Sequence, residues 1–125
     1  MSETQLGPFC VCTERTQIAA YKNAVSATGD AIPAAFPICW LAEPTVRAAI
    51  EEACRGFMPL HEGQTFEYVA PLQIDAEYRL SIVLEEQTEP ARLSLKSEIA
   101  TPAGQTCLRM ETLLRLVSFA GELAA

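Results

Sequence analysis

The second half of the chain alternates between apolar and polar residues, whereas the first half does not. Four runs of period two follow one another between residues 65 and 116. Such alternation is typical of strands that turn one face to a core and the other to water. Because turn-forming residues separate the runs, the simplest expected topology is an antiparallel meander. The residues expected to face inward are Phe66, Tyr68, Ala70 and Leu72; Tyr78, Leu80, Ile82 and Leu84; Leu93, Leu95 and Ile99; and Leu108, Met110, Leu114 and Leu116.

The first half predicts a short strand and then a helix. Residues 9–12 (FCVC) could form the strand, and residues 14–28 carry apolar side chains at three- and four-residue steps. Thr13 is the expected N-cap of this helix, and Gly29 is expected to end it, since glycine accepts the left-handed conformation. Asp30 would then lie immediately past the end of the helix.

A second helix, with one buried face, is expected from Pro44 onward. Apolar residues between Val46 and Phe57 recur at the spacing of one helix face, and Gly56 ends the pattern. Proline suits the first turn of a helix, so a new helix can begin at Pro44. One apolar helix and a long sheet with a single apolar face indicate an α+β arrangement in which the sheet wraps the helix.

The composition fits one globular domain over residues 1–125. Half of the residues are hydrophobic and 20% are charged, and a chain of this length can build a single core. No apolar stretch approaches the roughly 18 residues of a membrane span. The N-terminus MSETQLGPF lacks the basic and then apolar layout of a signal peptide. The expected location is therefore the cytoplasm, with no membrane partner.

Charge and cysteine content narrow the classes of partner. The formal net charge is −7, and the nine lysines and arginines form no basic stripe, so nucleic acid is not an expected partner. The five cysteines are scattered and odd in number, which argues against a disulfide framework. Cys10 and Cys12 have the wrong spacing for a CxxC site, and the chain has one histidine. We therefore expect buried, reduced thiols and neither a metal nor another cofactor.

Two short stretches resemble the MaoC-like dehydratases and (R)-specific enoyl-CoA hydratases, in particular their N-terminal half-domain type. TGDAIPAAFPICWL precedes the second predicted helix, and LHEGQTFEYVAPLQIDAEYRLSI follows it. Residues 60–64 are similar to the family's Leu-His-Gly-x-Gln stretch, and residues 71–75 to its Pro-Leu-x-x-Gly-Asp turn, with Ile74 at the glycine position. The resemblance spans residues 15–117. It implies the hot-dog fold, in which an antiparallel sheet of five or six strands wraps a central apolar helix.

The resemblance also implies a binding function and a catalytic loop. Members of the family typically bind acyl-CoA or acyl-carrier-protein thioesters. In the active hydratases an Asp-x-Asn-Pro-x-His loop before the central helix activates a water, which adds to an enoyl thioester. Asp30 matches the aspartate and Pro33 the proline, but Ile32 stands at the asparagine position and Ala35 at the histidine position. Asp30 is the candidate catalytic residue, and a turn-forming role is the alternative.

Other candidates follow from this reading. His61, the single histidine, is the one imidazole that could assist Asp30, within the protomer or across a dimer; a structural role is the alternative. Pro33, Phe36 and Trp40 are candidates for binding the acyl chain, which would run along the central helix; packing in the core is the alternative for the two aromatic residues. Glu43 is a solvated residue or, in a thioesterase, the acting carboxylate.

Three functions remain open on the sequence. The chain is an acyl-thioester hydratase or dehydratase with an incomplete catalytic loop, a non-catalytic partner subunit of such an enzyme, or a hot-dog thioesterase. All three predict the same association. A single sheet with an exposed edge and a short acyl groove is expected to form a homodimer, or a heterodimer with another hot-dog subunit.

Overall fold

The computed structural model describes residues 2–118. Over this range the chain forms five strands, two α-helices and one 3₁₀ helix. The strands are β1 (Ser2–Cys12), β2 (Phe57–Tyr68), β3 (Glu77–Thr88), β4 (Ala91–Ala100) and β5 (Thr106–Ser118), and the α-helices are α1 (Arg15–Ala24) and α2 (Pro44–Ala53). The 3₁₀ helix, Phe36–Ala42, lies between α1 and α2. The four alternating runs are confirmed as strands β2 to β5.

The strands form one antiparallel sheet in the order β1-β3-β4-β5-β2. Only β3, β4 and β5 form a meander, so the prediction of a meander through all the alternating runs was wrong for β2. That strand ends at Tyr68, and residues 69–76 carry the chain across the end of the sheet to β3. The alternation at Ala70 and Leu72 continues the period of β2 but belongs to this crossing segment, which we call the crossover. Local periodicity reports burial and not pairing partners, which explains the error.

A long N-terminal strand was also missed. Only residues 9–12 carried a strand pattern, but β1 begins at Ser2 and pairs with β3 along its length. Its first residues are polar and exposed, and the pairing shifts register between Leu6 and Phe9. An edge strand with little burial has no apolar alternation to reveal it.

One face of the sheet carries the core. The buried residues of β3, β4 and β5 alternate as the sequence predicts, and Leu80, Leu93 and Leu108 are fully buried. Val46 of α2 belongs to the same buried cluster, and Ala49, Ile50 and Ala53 pack against it. The apolar face of α2 therefore packs on the core face of the sheet, as expected of the central helix.

Helix α2 begins at Pro44, as predicted, and Glu43 caps it. Oε2 of Glu43 accepts hydrogen bonds from the backbone N–H groups of Thr45 at 2.9 Å and Val46 at 3.2 Å. A carboxylate in this position accepts hydrogen bonds from N–H groups that the helix leaves unpaired. Its negative charge also interacts favourably with the positive end of the helix dipole. Glu43 thus has a structural task at the N-terminus of the helix.

Helix α1 is shorter than predicted. It ends at Ala24, and Gly29, which has a φ of 93°, lies in the loop beyond it. Thr13 does not cap α1; its buried hydroxyl bonds to the backbone carbonyls of Gln73 and Ala76. Asp30 consequently lies in an extended loop and not directly at a helix end.

The five thiols are free, but their burial differs from expectation. Cys54 and Cys107 are buried, whereas Cys10, Cys12 and Cys39 are exposed. The prediction of buried thiols was therefore wrong for these three. Cys10 and Cys12 lie on the outward side of the edge strand β1, where alternation alone did not reveal which face was covered.

Candidate functional site

A largely apolar cavity lies between the loop before the 3₁₀ helix and the end of β2. Its volume is about 540 Å³, which is within the range of small-molecule sites. The loop of residues 26–35, which follows the C-cap of α1 and which we call the Asp30 loop, supplies one wall, and the crossover supplies the other. The cavity is lined by Asp30, Ala31, Ile32, Ala34, Tyr68, Val69, Ala70, Pro71, Leu72 and Ile74.

Two polar side chains line this cavity. Asp30 is exposed, and Tyr68 at the end of β2 is 38% exposed. The hydroxyl of Tyr68 donates a hydrogen bond of 2.6 Å to the carbonyl oxygen of Ala34. Burial raises the pKa of the Tyr68 phenol above its ordinary value, so the group is a protonated donor at neutral pH. The arrangement is an apolar recess with one carboxylate and one phenol.

The position that is histidine in the Asp-x-Asn-Pro-x-His loop carries no ionisable side chain here, because it is Ala35. Ala35 directly precedes the 3₁₀ helix, and the isoleucine at position 32 lines the cavity with an apolar side chain. Asp30 therefore shares the cavity with apolar groups and Tyr68. No imidazole is among the residues that line the cavity.

His61 lies well away from Asp30 along the sheet. It is exposed, pairs with Leu114, and sits beside the register shift between His61 and Gly63. Tyr68, at the cavity, follows seven residues later on the same strand. At the rise of an extended strand this corresponds to roughly 20 Å. The structure does not bring His61 and Asp30 together within the protomer.

Phe36 and Trp40 lie in the aromatic core. Phe36 is 2% exposed and Trp40 is 7% exposed. Edge-to-face contacts join Tyr21 to Phe36 and Phe36 to Trp40, with ring centroids 5.7 and 5.9 Å apart. Neither ring lines the cavity beside Asp30; both border a separate cleft against α1. Pro33 stays in the Asp30 loop, where its carbonyl accepts a hydrogen bond from the N–H of Phe36.

Sequence reasoning did not single out the crossover or Tyr68 as part of a site. Val69, the most exposed large apolar residue described, is 59% exposed and lines the cavity next to Tyr68. The available signal was the apolar run Val69 to Leu72, which continues past the strand through a proline. That run was interpreted as strand, so its role as a cavity wall was missed.

Within residues 2–118, no group of three or more His, Cys, Asp or Glu side chains is arranged to hold a metal ion. No described helix has the length and hydropathy needed to span a membrane.

The backbone is similar to those of several solved structures. The C-terminally truncated HadBC (3R)-hydroxyacyl-ACP dehydratase complex from Mycobacterium tuberculosis has a chain that matches with a TM-score of 0.69 at 12% identity, covering 90% of this chain and 94% of that one. The (R)-hydratase from A. caviae involved in PHA biosynthesis matches with a TM-score of 0.60 at 13% identity, covering 92% and 94%. A hot-dog-like protein from Thermanaerovibrio acidaminovorans matches with a TM-score of 0.65 at 10% identity, covering 98% and 86%.

Other structural neighbours include a hypothetical thioesterase from Streptococcus pneumoniae solved with coenzyme A. No family model matches the chain, and no curated protein matches it. The likeness to solved structures therefore concerns the fold, and at that level the resemblance to the dehydratases and hydratases is confirmed. The chain has the hot-dog fold, with five antiparallel strands in the part that the structure describes.

Proposed function

We propose that this protein binds an acyl thioester in the cavity beside Asp30 and acts as the binding subunit of a dehydratase or hydratase assembly. One observation carries the proposal: the cavity is apolar and of ligand size, yet the carboxylate that lines it has no imidazole beside it. The acyl carrier is CoA or a carrier protein. The proposal is supported by the dehydratase and hydratase names among the structural neighbours.

The lining of the cavity favours an acyl chain as its occupant. Eight of the ten lining residues are apolar, namely Ala31, Ile32, Ala34, Val69, Ala70, Pro71, Leu72 and Ile74. Burial of each methylene contributes about 0.8 kcal/mol to binding, so apolar walls favour the binding of a hydrocarbon chain. Asp30 supplies the polar contact toward the thioester end, because the hydroxyl proton of Tyr68 is already donated to Ala34.

Turnover by the chain alone is less well supported than binding. Asp30 is exposed, and no imidazole lines the cavity to take part in the proton transfer that general-base catalysis needs. In the loop pattern that Asp30 matches, a histidine helps the aspartate to activate water, and here that position is Ala35. His61 could complete such a pair only from another protomer, given its distance along β2.

A second chain is expected at the free edge of β2. In the described part of the chain, β2 is the last strand of the sheet and pairs on one side only. Phe57 and Leu60, near the start of this strand, are 37% and 45% exposed. Unpaired edges that carry apolar side chains are sites of association. The other edge, β1, begins with polar residues and is the poorer candidate.

Association through β2 predicts a dimer at micromolar concentration. Leu60→Lys places a charge at this edge. We expect it to raise the dimer dissociation constant, measured by sedimentation equilibrium, at least tenfold. Val25→Lys is the matched control, because Val25 is 51% exposed at the end of α1. Equal dissociation constants for the wild type and Leu60→Lys would contradict an interface at β2. A wild-type protein that stays monomeric would exclude the homodimer and leave a different hot-dog chain as the partner.

A paired assay on the purified protein tests the proposed function. Saturable binding of acyl-CoA is expected by calorimetry, with neither loss of enoyl absorbance from an enoyl-CoA nor release of free thiol. Asp30→Asn removes the charge at nearly constant shape, and we expect it to change affinity by no more than about tenfold. Absence of binding to short and medium acyl-CoA alike would overturn the proposal.

The same assay identifies the two alternatives. Hydration by the wild type that Asp30→Asn abolishes would make the protein a hydratase in which Asp30 acts without the loop histidine. Thiol release would make it a thioesterase, for which Glu43 and Asp30 are the candidate carboxylates. Glu43 already caps α2 through two hydrogen bonds, so the structure favours Asp30 in that case.

A further inference from the structure

The Asp30 loop has little backbone hydrogen bonding of its own. At its start the N–H of Ala27 donates to the carbonyl of Lys22, and at its end the N–H of Phe36 donates to Pro33. Regular secondary structure is absent from residues 26–35. A loop held this way would adopt several conformations unless side chains from outside fix it.

Two side chains from regular elements hold the loop on either side of Asp30. Nζ of Lys22 donates a hydrogen bond of 2.7 Å to the carbonyl oxygen of Gly29, the residue before Asp30. The hydroxyl of Tyr68 donates one of 2.6 Å to the carbonyl oxygen of Ala34. The four residues between these contacts, 30–33, include three that line the cavity.

Both anchors project from well-supported backbone. Lys22 lies in the last turn of α1, which is fixed to the core by Ile18 at 3% exposure. Tyr68 pairs in the sheet with Leu108, which is fully buried. A side chain on a helix or strand holds its position more closely than one on a loop, so each contact transfers that order to the loop.

We propose that Lys22 and Tyr68 are positioning residues that set the conformation of the Asp30 loop and thereby the affinity of the cavity for its ligand. This inference rests on the proposed function, since it concerns the same acyl-binding cavity. Each residue acts on the loop through a backbone carbonyl; Lys22 does not line the cavity, and the Tyr68 ring, which does, is retained in Tyr68→Phe. Without either anchor the loop must be ordered at the moment of binding, and that entropic cost weakens the complex.

Affinity measurements test the two anchors against matched controls. Lys22→Met and Tyr68→Phe each remove the donor and keep most of the side-chain volume, and we expect each to weaken acyl-CoA binding by roughly fivefold to twentyfold. Lys22→Arg keeps a donor and is expected to restore binding. Lys96→Met and Tyr21→Phe are the controls, because Lys96 pairs with Glu85 on the outer face and Tyr21 lies away from the cavity.

Combining the anchors sharpens the test. If both hold one loop, the first removal already releases it, so the double variant should lose less than the product of the two single effects. Independent, multiplicative losses would contradict a shared loop. Equal affinity of the wild type, Lys22→Met and Tyr68→Phe would overturn the proposal outright.

A measurement of loop mobility separates this inference from the proposed function. The NMR order parameters of the amides of Ala31, Ile32 and Ala34 are expected to fall in both variants, with those of α2 and the unfolding midpoint unchanged. This readout needs no ligand. If the wild type binds no acyl thioester but the loop amides still respond, the proposed function fails and the anchoring stands. If the wild type binds and the loop amides do not respond, the anchoring fails and the function stands.

Discussion

Replacing Val69 by aspartate is expected to abolish most acyl-thioester binding while the protein stays folded. Val69 lines the cavity, and an aspartate there puts a carboxylate into the path of a hydrocarbon chain. The carboxylate must lose part of its hydration when the chain enters, which costs more than the 1.4 kcal/mol that corresponds to a tenfold change. We therefore expect the dissociation constant for a medium-chain acyl-CoA to rise at least tenfold, measured by calorimetry.

The fold should tolerate this change, because Val69 is 59% exposed and its backbone N–H keeps its hydrogen bond to Cys107. Substitutions at such positions usually alter the free energy of unfolding by about 0.5 kcal/mol or less. Val25→Asp is the matched control: the same substitution at a residue that is 51% exposed but absent from the cavity lining. Equal losses of affinity in the two variants would show a general charge effect. Unchanged affinity in Val69→Asp would place the acyl site elsewhere.

Leu80→Ala is expected to cost about 3 to 5 kcal/mol in the free energy of unfolding. Leu80 is fully buried on the core face of β3, where its register neighbours are Phe9 of β1 and Ile99 of β4. The lost contacts come from both neighbouring strands, and a sheet cannot collapse easily into the resulting cavity. Since domains of this kind have a total stability of about 5 to 15 kcal/mol, this one change removes a large part of it.

Urea unfolding followed by circular dichroism measures the loss. Leu113→Ala is the control, since Leu113 is only partly buried and lies on the opposite face of β5; about 1 kcal/mol or less is expected there. A loss at Leu80 no larger than that at Leu113 would contradict the assignment of the core face.

The strands and helices whose pattern of apolar and polar residues reflects burial could be predicted from the sequence. The alternation in β2 to β5 and the spacing of apolar residues in α2 follow directly from which side of each element faces the core. Strand order does not: the same alternation is compatible with β2 beside β3 or beside β5. The polar first residues of β1 could not be predicted as strand either. Strands pair through backbone groups, so an exposed strand needs no particular side-chain pattern.

The candidate site was predictable in part. Asp30 was identified through a short motif, and it does line a cavity. Phe36 and Trp40 were proposed from their place before the central helix, but their side chains are directed into the core, as the alternative reading allowed. The opposite wall of the cavity comes from residues 68–74, far from Asp30 in sequence. Such a wall depends on how the two segments are brought together, and no local pattern encodes that.

The position of β2 at the edge of the sheet affects when this strand can pair during folding. Its partner β5 is the last strand described, so during synthesis β2 emerges before the strand with which it pairs. We expect the meander β3-β4-β5 to form before β2 docks on it, because its pairings are closer in sequence and cost less loop entropy. Tyr68 and Val69, which lie at the end of β2 and line the cavity, would then complete it when β2 docks. Ligand binding would therefore report that the last strand has docked, and acyl thioesters would stabilise the newly completed fold.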